Sequence, residues 1–351
     1  MRKIFYLAVF GVILIFSTPA LFAQRGTTPP QGTTSSATVE VRLASPLPRN
    51  STWGRELDRL AAEWHRITNG NVRLTVIHDG REGGEEQMLQ SLRTNTIQGA
   101  IFTSFGLSQI NPAIMTVSIP FLIRNDRELE IVMREIQGDL EARFNRSNFH
   151  LLALSRSGFV NIFSRDPVLT PDDLRRQPIA SNAEADRINR AFSAMGFRIE
   201  QTDWTDIGPK LNSGAVRAIY LNPSAVAPLN IHRQLGHMLS IDVAPVLGGL
   251  VMNQVIWNRI GNINSTYPSQ LQATTRRLIS QFDSTLPRMT REAIDTMTRG
   301  GLTINRPSPA QEQLWHNEIE RVLPSLLANG TFDRELYQRI NGILARTRGG
   351  R

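Results

Sequence analysis

The stretch VEVRLASPLPRNSTWGRELDRLAAEWHRITNGNVRLTVIH, residues 39–78, decides the fold class. Val39, Val41 and Leu43 alternate with polar neighbours, the period of a strand with one buried face. Leu57, Leu60, Ala61 and Trp64 then recur at i, i+3, i+4 and i+7, which puts them on one stripe of an amphipathic helix. Gly70 stands where that helix ends, since glycine adopts the left-handed closing conformation without a Cβ penalty. Residues 71–78 read as a second strand. A strand, a helix and a strand in succession form a crossover unit, and repeated units of this kind build parallel sheets covered by helices.

Outward from this unit the alternation continues. The pattern predicts a helix over 85–95, a strand over 99–103, a helix over 129–144 and a strand over 151–155. A second unit begins near Phe159 with a strand over 160–164. Thr170, Pro171, Asp172 and Asp173 form a helix start: a capping hydroxyl, a first-turn proline and acids at the positive end. Next come a short strand over 178–181, helices over 183–195 and 205–212, a strand over 215–222 and a helix over 224–235. VLGGLVMNQVIW, residues 246–257, is long and apolar and reads as a strand returning to the first unit. Helices over 269–297, bent at Pro287, and 308–327, disturbed at Pro324 in its last turn, finish the chain. About 305 residues lie between the termini, more than one comfortable core holds, so two domains are expected. The reading is an α/β chain of two lobes joined by crossing strands, with long C-terminal helices. Ligands bind beyond the C-terminal ends of strands in such sheets, and lobe interfaces favour pockets.

The N-terminus carries Arg2 and Lys3, an apolar run from Ile4 to Phe16, and the exit ALFAQ at 20–24. This is the form of a secretory signal peptide over residues 1–23. Leu21 at the −3 position is bulkier than usual, and an uncleaved anchor is the alternative. The run falls short of the ~20 apolar residues of a membrane span. Residues 24–37, rich in Gly, Pro, Ser and Thr, read as a flexible linker. RTRGGR at 346–351 reads as a disordered basic tail, with 347–351 beyond the last lobe. The chain has no cysteine, which excludes lipid attachment at a cysteine, disulfides, thiolate metal sites and cysteine nucleophiles.

The formal charge is +8, but Arg2, Lys3, Arg25, Arg346, Arg348 and Arg351 fall in the termini, leaving about +2 on the body. No basic stripe is interleaved with aromatics, so no nucleic-acid partner is expected. There is no HExxH, no GxSxG and no phosphate-binding loop ending in lysine and Ser/Thr. GREGG at 80–84 lacks that lysine. The six histidines are scattered, and His232 and His237 are spaced i, i+5, off a common helical face. Neither a metal nor a cofactor is expected, and no catalytic site. An enzyme would need a site assembled from distant residues.

Several strings in order carry a family resemblance: VRLASP at 41–46 with Trp53, GREGGEEQMLQSL at 80–92, IPFLI at 119–123, SRSGF at 155–159, TPDDLRRQPIA at 170–180 and LNSGAV at 211–216. Together they resemble the DctP-type solute receptors of TRAP (tripartite ATP-independent periplasmic) transporters, over about residues 39–339. The resemblance implies a periplasmic, two-lobed periplasmic-binding-protein fold that traps a small molecule and passes it to TRAP membrane subunits. It implies residues 38–154 with 249–289 for one lobe, and 155–248 with 290–346 for the other. One branch of such receptors works with a TPR-repeat partner. A sensor or scaffold of the same fold, or an exported enzyme on it, are the other readings.

The resemblance also carries site residues. These receptors hold a substrate carboxylate with an arginine at the end of a DLKGxKIR string. DLRRQPIA puts Ala180 there, which supplies no charge and no donor, whereas arginine grips carboxylates through two parallel hydrogen bonds. A second, upstream arginine corresponds to Arg156, and the aromatic over the ligand to Trp204. Tyr220 and Asn222, or Leu221 with one residue of slack, follow the second-lobe strand. Glu85, Thr103, Ser104 and Phe105 fall on first-lobe loops facing the cleft. The implied ligand is larger and less polar than a simple organic acid. It would lie against Trp204, Phe105 and Tyr220 with one polar end at Arg156.

Overall fold

In the structure, a computed structural model that describes residues 38–349, the opening unit is β1 (Val39–Ala44), α1 (Thr52–Ile67) and β2 (Val72–Ile77). The expected signal peptide and the linker lie outside the described residues. Ser51 starts α1 by accepting from the Gly54 amide, and Leu57, Leu60 and Trp64 are the buried stripe. β1 and β2 pair in parallel, Val39 opposite Val72, as a crossover unit requires.

The chain continues through α2 (Glu85–Arg93), β3 (Gly99–Thr103), α3 (Ser104–Ile110), α4 (Asp126–Arg146), β4 (Phe149–Ser164), α5 (Pro171–Arg175), β5 (Ile179–Ser181) and α6 (Asp186–Ala194). Then come β6 (Ile199–Gln201), α7 (Ile207–Ser213), β7 (Ala218–Leu221), α8 (Pro223–Leu229), α9 (His232–Leu235), β8 (His237–Leu239), β9 (Ala244–Asn253) and α10 (Gln254–Ile263). α11 (Tyr267–Asp283), α12 (Leu286–Arg299), β10 (Thr303–Asn305), α13 (Pro309–Ala328) and α14 (Arg334–Gly349) complete it.

The sheet order is β2-β1-β3-β9-β4-β7-β5-β6, with β8 added to β4 and β10 to β8. β1, β2 and β3 run parallel on one side, and β5, β6 and β7 on the other. The long antiparallel pair β4–β9 joins them, from Phe149 opposite Asn253 to Val160 opposite Ala244. This is the expected two-lobed α/β architecture with crossing strands.

Four details depart from the sequence reading. The two strands expected at 151–155 and 160–164 are one strand of 16 residues. Its register breaks between Arg156 and Phe159, where Gly158 takes φ +85°. An irregularity of this kind bends and twists a strand without ending it. The returning strand stops at Asn253, whose side chain accepts from the Val255 amide and starts α10, so Trp257 is helical. The helix expected over 269–297 is two helices. Pro287, with no amide to donate, sits in the first turn of α12. Asp283, at the end of α11, is held by Ser155 Oγ at 2.6 Å and the Arg156 amide at 2.9 Å. The helix expected over 224–235 breaks at Asn230, which is left-handed at φ 56°.

The basic tail is also corrected. α14 runs through Arg346 and Arg348 to Gly349 and packs on α4. Arg348 donates from Nε and Nη2 to the two carboxylate oxygens of Glu128 at 2.9 and 2.8 Å, and from Nη2 to Leu122 O at 2.7 Å. The side chain of Glu128 is only 9% exposed, and a carboxylate so placed requires a partner. Arg346 pairs with Glu135 at 2.9 Å. With both arginines folded, only Arg2, Lys3, Arg25 and Arg351 fall outside the described residues, and the body carries about +4 rather than +2.

Burial pushes the Glu128 carboxyl up, but hydrogen bonds from Arg348 and the Arg124 amide and the nearby guanidinium charges outweigh it and leave the carboxyl below its usual range. A carboxylate depressed on folding adds stability above its unfolded value and loses it as pH falls through the folded one. Arg348→Ala is expected to cost ~1–3 kcal/mol at pH 7, less than a fully buried pair because the arginine is partly exposed. Urea titrations should show the gap between wild type and variant closing as the pH drops below about 4. A gap of equal size at pH 7 and at low pH would contradict this assignment.

Candidate functional site

Two pairs of parallel strands, β1 with β3 and β5 with β7, end at one place from opposite directions. Pro46 follows β1, Ser104 and Phe105 follow β3, Asn182 and Glu184 follow β5, and Asn222 follows β7. With Val160 of β4, Val243–Val246 along β9, and Ile188 and Phe192 of α6, they enclose a cavity of ≈ 540 Å³. The size is that of a small-molecule pocket, and its position beyond the strand ends is the expected one.

The structure brings most of the candidates together here. Glu85, Thr103, Ser104, Phe105, Ala180, Tyr220 and Asn222 all line this cavity, and so does Leu221. Ala180 is in the wall, 2% exposed.

Arg156 does not join them. Side chains alternate along a strand, so Ser155 and Ser157 face one way and Arg156 the other. Arg156 lies with Glu130, Met133, Gln137 and Arg276 in a separate cavity between α4 and α11. Its guanidinium is 3.6 Å from Glu130 and 3.9 Å from Asp283. The polar ligand end expected at Arg156 therefore has no counterpart in the main cavity. Four positions further along the irregular strand, it is Val160 that enters the cavity. Trp204 begins a single 3-10 turn, Trp204–Asp206, and its side chain lies outside the described residues.

The polar groups of the cavity are mostly engaged within the protein. Glu85 accepts from the Thr103 amide at 2.6 Å, Thr103 Oγ1 at 3.0 Å and the Gly106 amide at 2.6 Å. It thereby ties the start of α2 to the start of α3. Burial pushes its carboxyl above the usual range against those bonds, and the charge of Glu184 pushes the same way. A side chain at position 106 has no room, because its Cβ would lie 2.5 Å from Glu85 Oε2. Ser104 Oγ donates to Leu247 O at 3.1 Å and accepts from the Leu247 amide at 2.9 Å. Tyr220 shares a 2.7 Å hydrogen bond with Ser181 Oγ and donates to Asn189 Oδ1 at 3.3 Å. Burial pushes its phenol up to about 12. Asn222 accepts from the Ser224 amide to start α8 and donates to Ser157 O at 3.0 Å.

Two polar groups are left for a guest. Glu184 has no hydrogen-bond or ion-pair partner among the described residues, and the Asn182 amide NH2 donates to none. No arginine, lysine or histidine is among the described lining residues. The sequence reading missed Asn182, Glu184, Val160, Ile188 and Phe192. Asn182 and Glu184 had an available signal, since they directly follow the strand over 178–181 and strand ends are where ligands bind. The others carry none, because apolar residues at helix or strand spacing read as core.

Comparisons with known proteins agree with this architecture. The family model described as bacterial extracellular solute-binding protein, family 7 (DctP), matches residues 43–329. A TRAP periplasmic solute-binding protein from Desulfovibrio salexigens, solved with bound orotic acid, is similar with a TM-score of 0.76 and 17% identity, over 88% of this chain and 99% of that one. One from Haemophilus influenzae RdAW with bound L-gulonate gives 0.74 and 16%, over 87% and 100%. At such identities the likeness shows the fold. In sequence, the 2,3-diketo-L-gulonate-binding periplasmic protein YiaO of Escherichia coli K12 is 27% identical over 131 residues, which span 37% of this chain and 40% of the relative. A solute-binding protein of Chromohalobacter salexigens is 27% identical over 126 residues, 34% of this chain and 37% of the relative. The match over residues 43–329 covers most of the sequence, so the chain belongs to the bacterial extracellular solute-binding proteins of family 7, the DctP family.

Proposed function

We propose that the chain is the periplasmic receptor of a TRAP-type transporter, and that its ligand is uncharged or cationic and mainly apolar. Family membership and the two-lobed fold support the receptor role. The ligand class rests on one observation: the described residues that line the ≈ 540 Å³ cavity include two carboxylates and no cation. Moving a carboxylate out of water costs several kcal/mol unless a partner replaces its hydration. Here Val160 and Ala180 supply none, and Glu85 and Glu184 would repel it. An apolar body burying ~200 Å² against Phe105, Ile188, Phe192 and Val160 would instead gain ~5 kcal/mol before the costs of association. Glu184 and the Asn182 amide are suited to one polar or ammonium end.

In this reading the lobes are residues 38–154 with 249–289 and residues 155–248 with 290–346, closing over the cavity and presenting the closed form to TRAP membrane subunits. Residues 1–23 are the signal peptide. A TPR-repeat partner is not part of the proposal. Mass spectrometry of the mature protein from a periplasmic fraction is expected to find its first residue at Gln24. Intact Met1 on cytoplasmic protein would contradict export.

A thermal-shift and calorimetry panel tests the ligand class. Four-carbon dicarboxylates, keto acids and sugar acids are expected not to bind the wild type, while apolar alcohols and amines stabilise it. Sub-micromolar binding of a small dicarboxylate would overturn the reading. Ala180→Arg is expected to weaken the apolar ligands by roughly tenfold or more through lost volume and a buried charge.

Tyr220→Phe separates structure from binding. Loss of the hydroxyl leaves Ser181 and Asn189 short of a partner, so unfolding stability is expected to fall by ~1–2 kcal/mol while affinity changes little. Unchanged stability with a large affinity loss would assign the hydroxyl to the ligand.

A further inference from the structure

A second cavity, of ≈ 180 Å³, adjoins the first and shares Pro46, Thr103 and Val246 with it. Its outer walls are Trp53 of α1 and Ile279 of α11. The sheet itself makes the space. Gly248 of β9 lies opposite Thr103 of β3 on one side and Ser155 of β4 on the other, so this row across three strands holds two short side chains and none between them.

Nothing in the backbone demands glycine at 248. It is not at positive φ, and a Cβ there would lie 3.4 Å from Ser157 Oγ and 3.7 Å from Ser155 Cβ, which is ordinary contact. Its neighbour differs, since a Cβ at Gly249 would lie 2.9 Å from Leu107. A side chain at position 249 would have to displace Leu107, whereas Gly248 leaves room that a side chain would fill. The polar atoms of the annex are largely engaged as well. Ser155 Oγ donates to Asp283 at 2.6 Å and Thr103 Oγ1 to Glu85 at 3.0 Å, which leaves the Ser157 hydroxyl.

Apolar cavities of roughly 150 Å³ take up benzene or xenon. We infer that the annex is a subsite for the apolar end of the ligand, a phenyl ring or a branched alkyl group, while the body lies in the main cavity. The inference rests on the main cavity being the ligand site, and it narrows the ligand to an elongated molecule with an apolar terminus. Gly248 is then a specificity-determining position: its missing side chain sets how long a ligand fits.

The test uses phenyl-terminated primary alcohols and amines, from benzyl to phenylhexyl, titrated by calorimetry into the mature wild type and Gly248→Leu. Affinity for the wild type is expected to step up once the chain is long enough to cross Thr103. Gly248→Leu is expected to weaken the long members by roughly tenfold or more and the short ones by less than about threefold. Gly248→Ala, which fits without strain, is expected to show a smaller loss in the same direction and covers the case in which the leucine variant does not fold. Xenon-pressurised crystals of the wild type are expected to show an atom beside Gly248. Long members that bind wild type and both variants alike, while short members still bind, would overturn the annex and leave the main-cavity reading intact. If no member binds and a small carboxylate does, the main-cavity reading fails, and the annex with it.

Discussion

The pairing of β4 with β9, from Phe149 opposite Asn253 to Val160 opposite Ala244, is the constraint on which the rest of the structure depends. Both lobes hang on these two strands: β3 pairs with β9 on one side and β7 with β4 on the other. Because side chains alternate along a strand, the register fixes what each face receives. Ser155, Ser157 and Gly248 face the annex, and Arg156 faces α4. The irregularity at Gly158 then turns the strand so that Val160 enters the main cavity. Asp283 pins the break between α11 and α12 to the same strand through Ser155 and Arg156. Burial pushes this carboxyl above its usual range, partly offset by those bonds and the Arg156 charge. With the guanidinium 3.9 Å away, the two short hydrogen bonds make the closer contact at the joint.

Around this frame, most of the polar residues that line the cavity have already made their bonds. Glu85 holds three donors at the start of α3, Ser104 clips α3 to β9, Tyr220 joins Ser181 and Asn189, and Asn222 starts α8. Each bond positions a wall and at the same time removes a group from competition for ligand. A buried polar group that is satisfied internally gives a guest little to gain, so apolar contact dominates. The cleft is mostly apolar in composition, and more so in what it offers.

Much of this was legible in the sequence. Period and caps located β1, α1 and β2, and Thr170 caps α5 as expected, with Asp173 completing a capping box. Seven of the candidate residues meet at one cavity because they lie at the C-terminal ends of strands or on the segments that follow them, a local property. What was not legible depends on long-range packing. Arg156 was expected in the cleft because SRSGF matched a family string, but its direction is set by a register that the string does not encode. RTRGGR looks like a tail by composition, yet Arg348 is ordered by Glu128, 220 positions earlier. Glu184 resembles any exposed acid until the described lining of the cavity is seen to hold no cation.

The central claim is that this receptor selects an apolar, uncharged or cationic molecule because no positive charge among the described residues lines its cavity. The most direct measurement is native mass spectrometry of the protein purified from the periplasm without denaturant, followed by solvent extraction of what it carries. The account predicts a bound molecule that is neutral or positively charged and mostly hydrocarbon, at near one per chain. A small organic acid held at that stoichiometry would contradict it.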